Sequence, residues 1–211
     1  MLVRDWMTPD PHVVPPSTPV LEAMQLLRDA GYRRLPVVKD GRLVGIVTDR
    51  DLKEATPSKA TSLSIYELNY LLSKLTVKDV MRAQVVTIGP DAPIEEAALT
   101  METHRVSGLP VLEGGTRGPV IGILTITDLL RAFVDFLGLR EGGRRVTVAM
   151  PDAPGSLAKA AAIAPPSNVE AIVTAGAIDG RRHLVFRVAG EGADGFADRL
   201  RAAGIPVVDV R

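Results

Sequence analysis

The feature that most constrains this chain is that its first two thirds are written twice. "VRDWM" at 3 to 7 returns as "VKDVM" at 77 to 81, "TPVLEA" at 18 to 23 as "APIEEA" at 92 to 97, and "LPVV" at 35 to 38 as "LPVL" at 109 to 112. All three pairs lie 74 positions apart, and a fourth, "GIVTDRDL" at 45 to 52 with "GILTITDL" at 122 to 129, lies 77 apart. The three extra residues fall in the turn between "LPVL" and "GILT", where added length costs little. Four ordered matches make a duplication, so the fold is a pair of like units before it is anything else.

Each copy reads strand, helix, strand, strand, helix. In the first, "HVV" forms a short strand, and Ser17 or Thr18 caps a helix that opens at Pro19. That helix runs "VLEAMQLLRDA", puts Leu21, Met24, Leu26 and Leu27 toward one face, and closes at Gly31. "RLPVVKDGRLVGIVT" is a hairpin turning at Asp40-Gly41, and a second helix follows Thr48. A unit this small has too little core to stand alone, so the copies pack on each other. Between them, "SLSIYELNYLLSKL" spaces Leu68, Leu71, Leu72 and Leu75 as a connector helix.

Beyond "LGLREGGRR" the pattern changes to βαββαβ, a ferredoxin-like arrangement with two helices on one sheet face. The fold class is therefore α+β: tandem repeats packed as a pseudo-twofold pair, then a ferredoxin-like domain. The expected boundaries are 1–58 for the first repeat, 59–76 for the connector, 77–137 for the second repeat, 138–144 for a linker and 145–211 for the tail. The open sheet of the tail favours pairing with a second copy, hence a homodimer.

Composition narrows the function classes. The 25 Lys and Arg balance 25 Asp and Glu, which gives no sign of a nucleic acid or a membrane surface as partner. Cysteine is absent, which excludes disulfides, thiolate metal sites and cysteine nucleophiles. The N-terminus lacks the apolar core of a secretory signal, and "PVIGILTITDLLRAFVDFLGL" is interrupted by Asp128, Arg131 and Asp135, too broken to span a bilayer. A cytoplasmic protein is expected. His12, His104 and His183 have no metal-ligand spacing, and no hydrolase, zinc-protease or P-loop motif occurs, so neither a metal nor catalysis is expected.

"GEGADG" at 190 to 195 satisfies G-x-G-x-x-G, with Asp209 nineteen positions after Gly190. A dinucleotide fold needs further parallel strands, and the chain stops two residues after Asp209. The same letters describe a glycine turn with Asp194 capping a helix.

The duplicated chemistry is Thr48-x-x-Asp51 and Thr125-x-x-Asp128. Each is a capping box, which by itself explains both residues. Each also stands at a strand-to-helix turn, where free N–H groups favour an anion. There a Thr hydroxyl can donate to a phosphate oxygen and an ionised Asp can accept from two sugar hydroxyls. Basic residues precede the "LPV" strands, Arg33 and Arg34 in one copy and His104 and Arg105 in the other. Strand ends at Val14, Ile46, Ile88 and Ile123 offer apolar faces to a flat base.

Together, "VxDxM … P(V/I)xEA … LPV … GI(V/L)TxxDL" resembles the cystathionine-β-synthase (CBS) domain pair, over residues 1 to about 135. The resemblance implies a cleft between repeats for AMP, ADP, ATP or S-adenosylmethionine, as a regulatory ligand and not a required cofactor. It implies phosphate and ribose contacts at Thr48, Asp51, Thr125 and Asp128. "HRVSGLPV" is similar to the phosphate-facing stretch of nucleotide-sensing members, which carries over to His104 and Arg105, with the strand openings Leu35-Pro36 and Leu109-Pro110 beside the ligand. The first copy departs there, with "AGYRRLPV". The tail "VAMPDAPGSLAKAAAIAPPSNVEAI" resembles an ACT domain, which implies amino-acid binding through Asp152, Gly155 and Asn168, although "APP" before Ser167 departs from the family's turn. The whole arrangement is similar to acetoin-utilisation B-type proteins. The expected function is a ligand sensor; the competing expectations are a dimerising assembly protein with empty clefts, and an amino-acid sensor through the tail.

Overall fold

The computed structural model describes residues 1–55, 70, 73–115, 117–164, 166–178 and 180–211. Most of the expected connector helix, including Leu68, Leu71 and Leu72, lies outside them. The chain divides into two compact units, Met1–Leu129 and Leu130–Arg211.

The first unit carries the duplication. In copy one, α1 (Val20–Ala30) leads to the hairpin of β2 (Arg34–Lys39) and β3 (Arg42–Thr48) and then α2 (Asp49–Glu54). In copy two, α4 (Ile94–His104) leads to β4 (Gly108–Leu112), β5 (Val120–Thr125) and the start of α5 (Ile126–Phe136), whose residues from Leu130 on belong to the second unit. Helix α1 occupies the expected stretch, and Gly31 ends it in the left-handed region at φ 66°. Two details differ. Pro19 is the N-cap itself, with no side-chain cap from Ser17 or Thr18, and the buried face is Val20, Ala23 and Leu27 while Leu21 is exposed. Asp40 (φ 50°) and Gly41 (φ 74°) make the tight turn of the β2–β3 hairpin, a conformation in which both central residues have positive φ. Each "strand" before the first helix of a copy is a single parallel bridge, Val14 to Val37 and Ile88 to Val111. Proline follows directly in one copy and after Gly89 in the other, and proline cannot extend a ladder.

The copies exchange their opening segments. Short helix α3 (Val77–Val80) stands at the start of the second repeat, yet Val77 is fully buried in the core of the first. Its N–H bonds Thr18 O at 2.8 Å, and Lys78 N–H bonds Pro16 O at 3.0 Å. The twin contacts run the other way: Val3 N–H to Ala92 O at 2.9 Å and Arg4 N–H to Pro90 O at 3.0 Å. Strand β1 (Thr8–Pro9) pairs with β5 of the second copy, and Arg82 bridges to Ile46 of the first. The methionines that end "VRDWM" and "VKDVM" cross directly over the glycines of "GILT" and "GIVT". A Cβ on Gly122 would strike the Met7 sulfur, and one on Gly45 the Met81 sulfur. The repeated Met and Gly are thus two halves of one contact, made twice.

The second unit has β6 (Arg144–Pro151), α6 (Ser156–Ala161), β7 (Asn168–Ile178), β8 (Arg181–Ala189), α7 (Phe196–Ala202) and β9 (Val207–Val210). Its strand order is β7-β8-β6-β9, antiparallel at every pairing. Alternate residues Val146, Val148 and Met150 of β6 and Leu184, Phe186 and Val188 of β8 face Ala160, Phe196 and Leu200 of the helices. Phe186 and Phe196 meet edge to face, centroids 5.7 Å apart. The "GEGADG" stretch is a turn, with Gly190 and Gly192 at φ 77°. Asp194 does not cap α7 as expected. Gly195 holds that position without a side-chain bond, and Asp194 pairs with Arg144 at 2.6 Å. Asp209 is held by Arg145 at 2.8 Å.

Candidate functional site

Thr48 closes β3 and caps α2. Its hydroxyl accepts from the Asp51 N–H at 3.2 Å, while Asp51 Oδ2 accepts from the Thr48 N–H at 2.9 Å and the Thr48 hydroxyl at 2.5 Å. The capping box is complete. Asp51 is buried, and its other oxygen, Oδ1, accepts from Arg82 Nε at 3.1 Å and Nη2 at 2.9 Å. Burial works against ionisation of Asp51. The Thr48 hydroxyl, the Arg82 guanidinium and the Thr48 N–H outweigh it, and the carboxyl lies below its ordinary pKa. The twin turn repeats the Asp side of the box: Asp128 Oδ2 accepts from the Thr125 N–H at 2.8 Å and its hydroxyl at 2.7 Å, and Asp128 is also buried.

Arg34 joins the two turns. It faces Thr48 across the β2–β3 hairpin, and Gly108 faces Thr125 in the twin hairpin. The Arg34 guanidinium crosses to the second copy, where Nη2 donates to Ser107 Oγ at 2.9 Å. It lies so close over Gly108 that any side chain there would displace it. Its Nε is buried with no hydrogen-bond partner among the described residues. Burial, and then the charge of Arg33, pushes the guanidinium below its usual pKa. Among the described residues no carboxylate pairs with Arg33 or Arg34. A buried, incompletely satisfied guanidinium between two Thr/Asp turns is an arrangement that an anion completes.

Arg105 caps the C-terminus of α4 in the left-handed region, φ 53° and ψ 42°, where the first copy has Gly31. A side chain in that conformation costs about 1 kcal/mol. Arg105→Gly is expected to raise stability by up to about 1 kcal/mol in urea denaturation while weakening anion binding. A loss of stability would contradict this reading.

Several other expected contacts have buried side chains. Leu35 and Leu109 have no exposed surface, Val14 and Ile88 are buried in the cores, and Pro36 and Pro110 are buried beside them. Ile46 and Ile123 remain half-exposed, paired with Arg82 and Thr8; His104 and Arg105 are exposed at the end of α4. Sequence reasoning missed Arg82, Ser107 and Gly108. Of these only Gly108 carried a signal, standing where the first copy has Arg34.

In the second unit, Asp152 and Gly155 line a cavity of ≈ 340 Å³ with Ser156, Thr174, Arg182 and Leu184. Asp152 takes two hydrogen bonds from Arg182, both 2.7 Å, and Arg182 holds its carboxyl below the ordinary range. Asn168 does not join them. It pairs with Ala189 at the opposite end of the sheet, where its amide donates to Glu170 at 2.7 Å.

Comparison with known proteins decides the family. The CBS domain model matches residues 3–58 and 77–135, and the model of the TTHA0829-like ACT domain matches 142–211. The chain is a tandem CBS-domain protein with a C-terminal ACT domain. A putative acetoin-utilisation protein from Vibrio cholerae shares 28% identity over 67% of this chain and 96% of its own, with a TM-score of 0.54. CBSX2 of Arabidopsis thaliana, solved in complex with AMP, shares 35% identity over 63% and 96%, TM-score 0.50. The CBS domain pair of protein MJ0100, solved with 5′-methylthioadenosine and S-adenosyl-L-methionine, shares 29% over 63% and 95%, TM-score 0.51. Longer curated relatives are spanned only in part. For inosine-5′-monophosphate dehydrogenase of Korarchaeum cryptofilum the chain covers 31% at 30% identity. No helix among the described residues is long and apolar enough to cross a membrane.

Proposed function

We propose that this CBS–ACT protein is a non-catalytic sensor that takes an adenine nucleotide in the cleft between its CBS copies. The observation that carries the reading is Arg34, a guanidinium that spans both copies between two matching Thr/Asp turns and keeps a buried donor without a partner among the described residues. Thr48 and Thr125 supply hydroxyls near a phosphate, Asp51 and Asp128 acceptors for ribose, and Arg33, Arg34 and Arg105 the countercharge. CBSX2 with AMP and MJ0100 with S-adenosyl-L-methionine supply the class of ligand. The unpaired arginines favour an anionic nucleotide over the sulfonium cation. Ligand in the cleft biases how the halves pack, and the ACT domain or a partner reads that state. A homodimer acting in the cytoplasm belongs to the same reading.

The test is thermal unfolding with AMP, ADP, ATP, S-adenosylmethionine and amino acids. A ligand at a hundred times its dissociation constant stabilises by about 2.7 kcal/mol. The expected outcome is a rise with AMP, ADP or ATP that Asp51→Asn with Asp128→Asn abolishes. No rise with any adenosine compound would leave the clefts empty and the protein a scaffold. The Asp152–Gly155 cavity favours a second ligand, an amino acid in the ACT domain, which predicts a separate rise abolished by Arg182→Ala.

A further inference from the structure

Asp51 has no acceptor position left for a sugar. A carboxylate offers about four lone-pair sites, and here Oδ2 takes two hydrogen bonds from Thr48 and Oδ1 two from Arg82. The side chain is only 8% exposed, so no open flank remains for a further donor. A ribose diol can reach Asp51 only by displacing one of these partners. The Thr48 bonds are local and hold the cap of α2. The Arg82 bonds come from 31 residues away, by a side chain 65% exposed to solvent. The backbone of Arg82 is fixed to Ile46 by two bonds, at 3.0 and 2.9 Å. The guanidinium can therefore swing out while its tether stays in place.

We propose that Arg82 is a displaceable latch over the first-copy site, and that it makes this site select phosphorylated nucleotides over nucleosides. The proposal rests on the nucleotide reading given above. Ribose hydroxyls replace the two Arg82 donors on Asp51 Oδ1, and the freed guanidinium needs a new anion beside the cleft. A phosphate provides one with matched two-pronged geometry, and a nucleoside provides none. Binding is an exchange of ion pairs for a nucleotide and a net loss of one for adenosine. The second copy differs at the equivalent position: Thr8, which bridges to Ile123 as Arg82 bridges to Ile46, cannot supply a guanidinium.

The experiment is calorimetric titration of the full chain with adenosine and with AMP, in an Asp128→Asn background so that the first-copy site reports. Arg82→Met is compared with Arg82, and Arg82→Lys retains the charge without the fork. Thermal melts confirm folding, which an exposed side chain leaves intact. Arg82→Met is expected to bind adenosine about tenfold more tightly, because no charged hydrogen bonds must be broken. AMP affinity stays level or falls, so the preference for AMP collapses, and Arg82→Lys lies between. An unchanged AMP-to-adenosine ratio, or equal weakening of both, overturns the latch while leaving the nucleotide site standing. Binding by the unmodified chain that vanishes in the Asp128→Asn background also overturns it, since the first-copy site then takes no ligand. No binding by the unmodified chain overturns the nucleotide reading together with the latch.

Discussion

Replacing Asp51 with alanine is expected to destabilise the CBS unit by about 2 kcal/mol at neutral pH. The loss has two sources. The Thr48 N–H and hydroxyl lose their shared acceptor at the start of α2, and Arg82 loses the carboxylate that tied the crossing segment to the first copy. Asp51→Asn keeps the shape and one acceptor, so it should lose less. The pH dependence follows from the depressed carboxyl. In the unfolded chain Asp51 titrates near about 3.9, and in the folded protein lower. Its stabilisation is therefore complete above the unfolded value and lost as pH falls through the folded one. Urea denaturation should show the full gap between Asp51 and Asp51→Ala from pH 5 to 8, and a gap that narrows as pH falls below the unfolded value and through the lower folded one. A gap that persists undiminished at low pH would mean that packing, and not charge, is what Asp51 contributes.

What was legible in the sequence was whatever depends on neighbours in the chain. The extent of α1, the Asp40-Gly41 turn and the Thr48 capping box each rest on a few adjacent residues, and each stands as read. What was not legible depends on residues far apart. "VKDVM" reads as the start of the second repeat because it precedes that repeat in order, while its side chains complete the first. Val14 and Ile88 looked like base contacts because a strand end is apolar whether it faces a ligand or a core. Only the parallel bridges to Val37 and Val111 put them inside. Arg82 had no local pattern at all. It matters because Asp51 lies across the exchange, and its twin position holds an uncharged Thr8. The sites themselves combine both kinds of information: the Thr/Asp turns are local and readable, whereas the cations that complete them, Arg34 over Gly108 and Arg82 on Asp51, arrive from elsewhere in the fold.

The exchange makes a prediction that sequence order contradicts. Val77→Ala removes two methyl carbons from a side chain with no exposed surface, at a cost on the order of 2 kcal/mol for the cavity left behind. If segment 77–82 served its own repeat, the damage would appear in β4 and β5. Because Val77 packs with Val20, Leu27, Leu35, Val37 and Val47, it should appear in the first copy. Hydrogen exchange of the Val77→Ala chain is expected to lose protection first in β2 and β3, while the reciprocal Val3→Ala chain loses it first in β4 and β5. Val3 is likewise fully buried, and its N–H is held by Ala92 of the second copy. Equal loss in both hairpins from either substitution would mean that the copies open as one cooperative unit. Loss following sequence order would mean that the exchange does not exist in solution. The distinction bears on signalling, because segment 77–82 ends at Arg82, which rests on Asp51. On the proposed reading, a ligand that displaces the Arg82 guanidinium leaves Val77 anchored in the core of the first copy and the two backbone bonds to Ile46 in place, and removes only the side-chain tie to Asp51. If the cleft takes the proposed ligand, loss of that tie between segment 77–82 and the first copy is a route by which occupancy biases one half against the other.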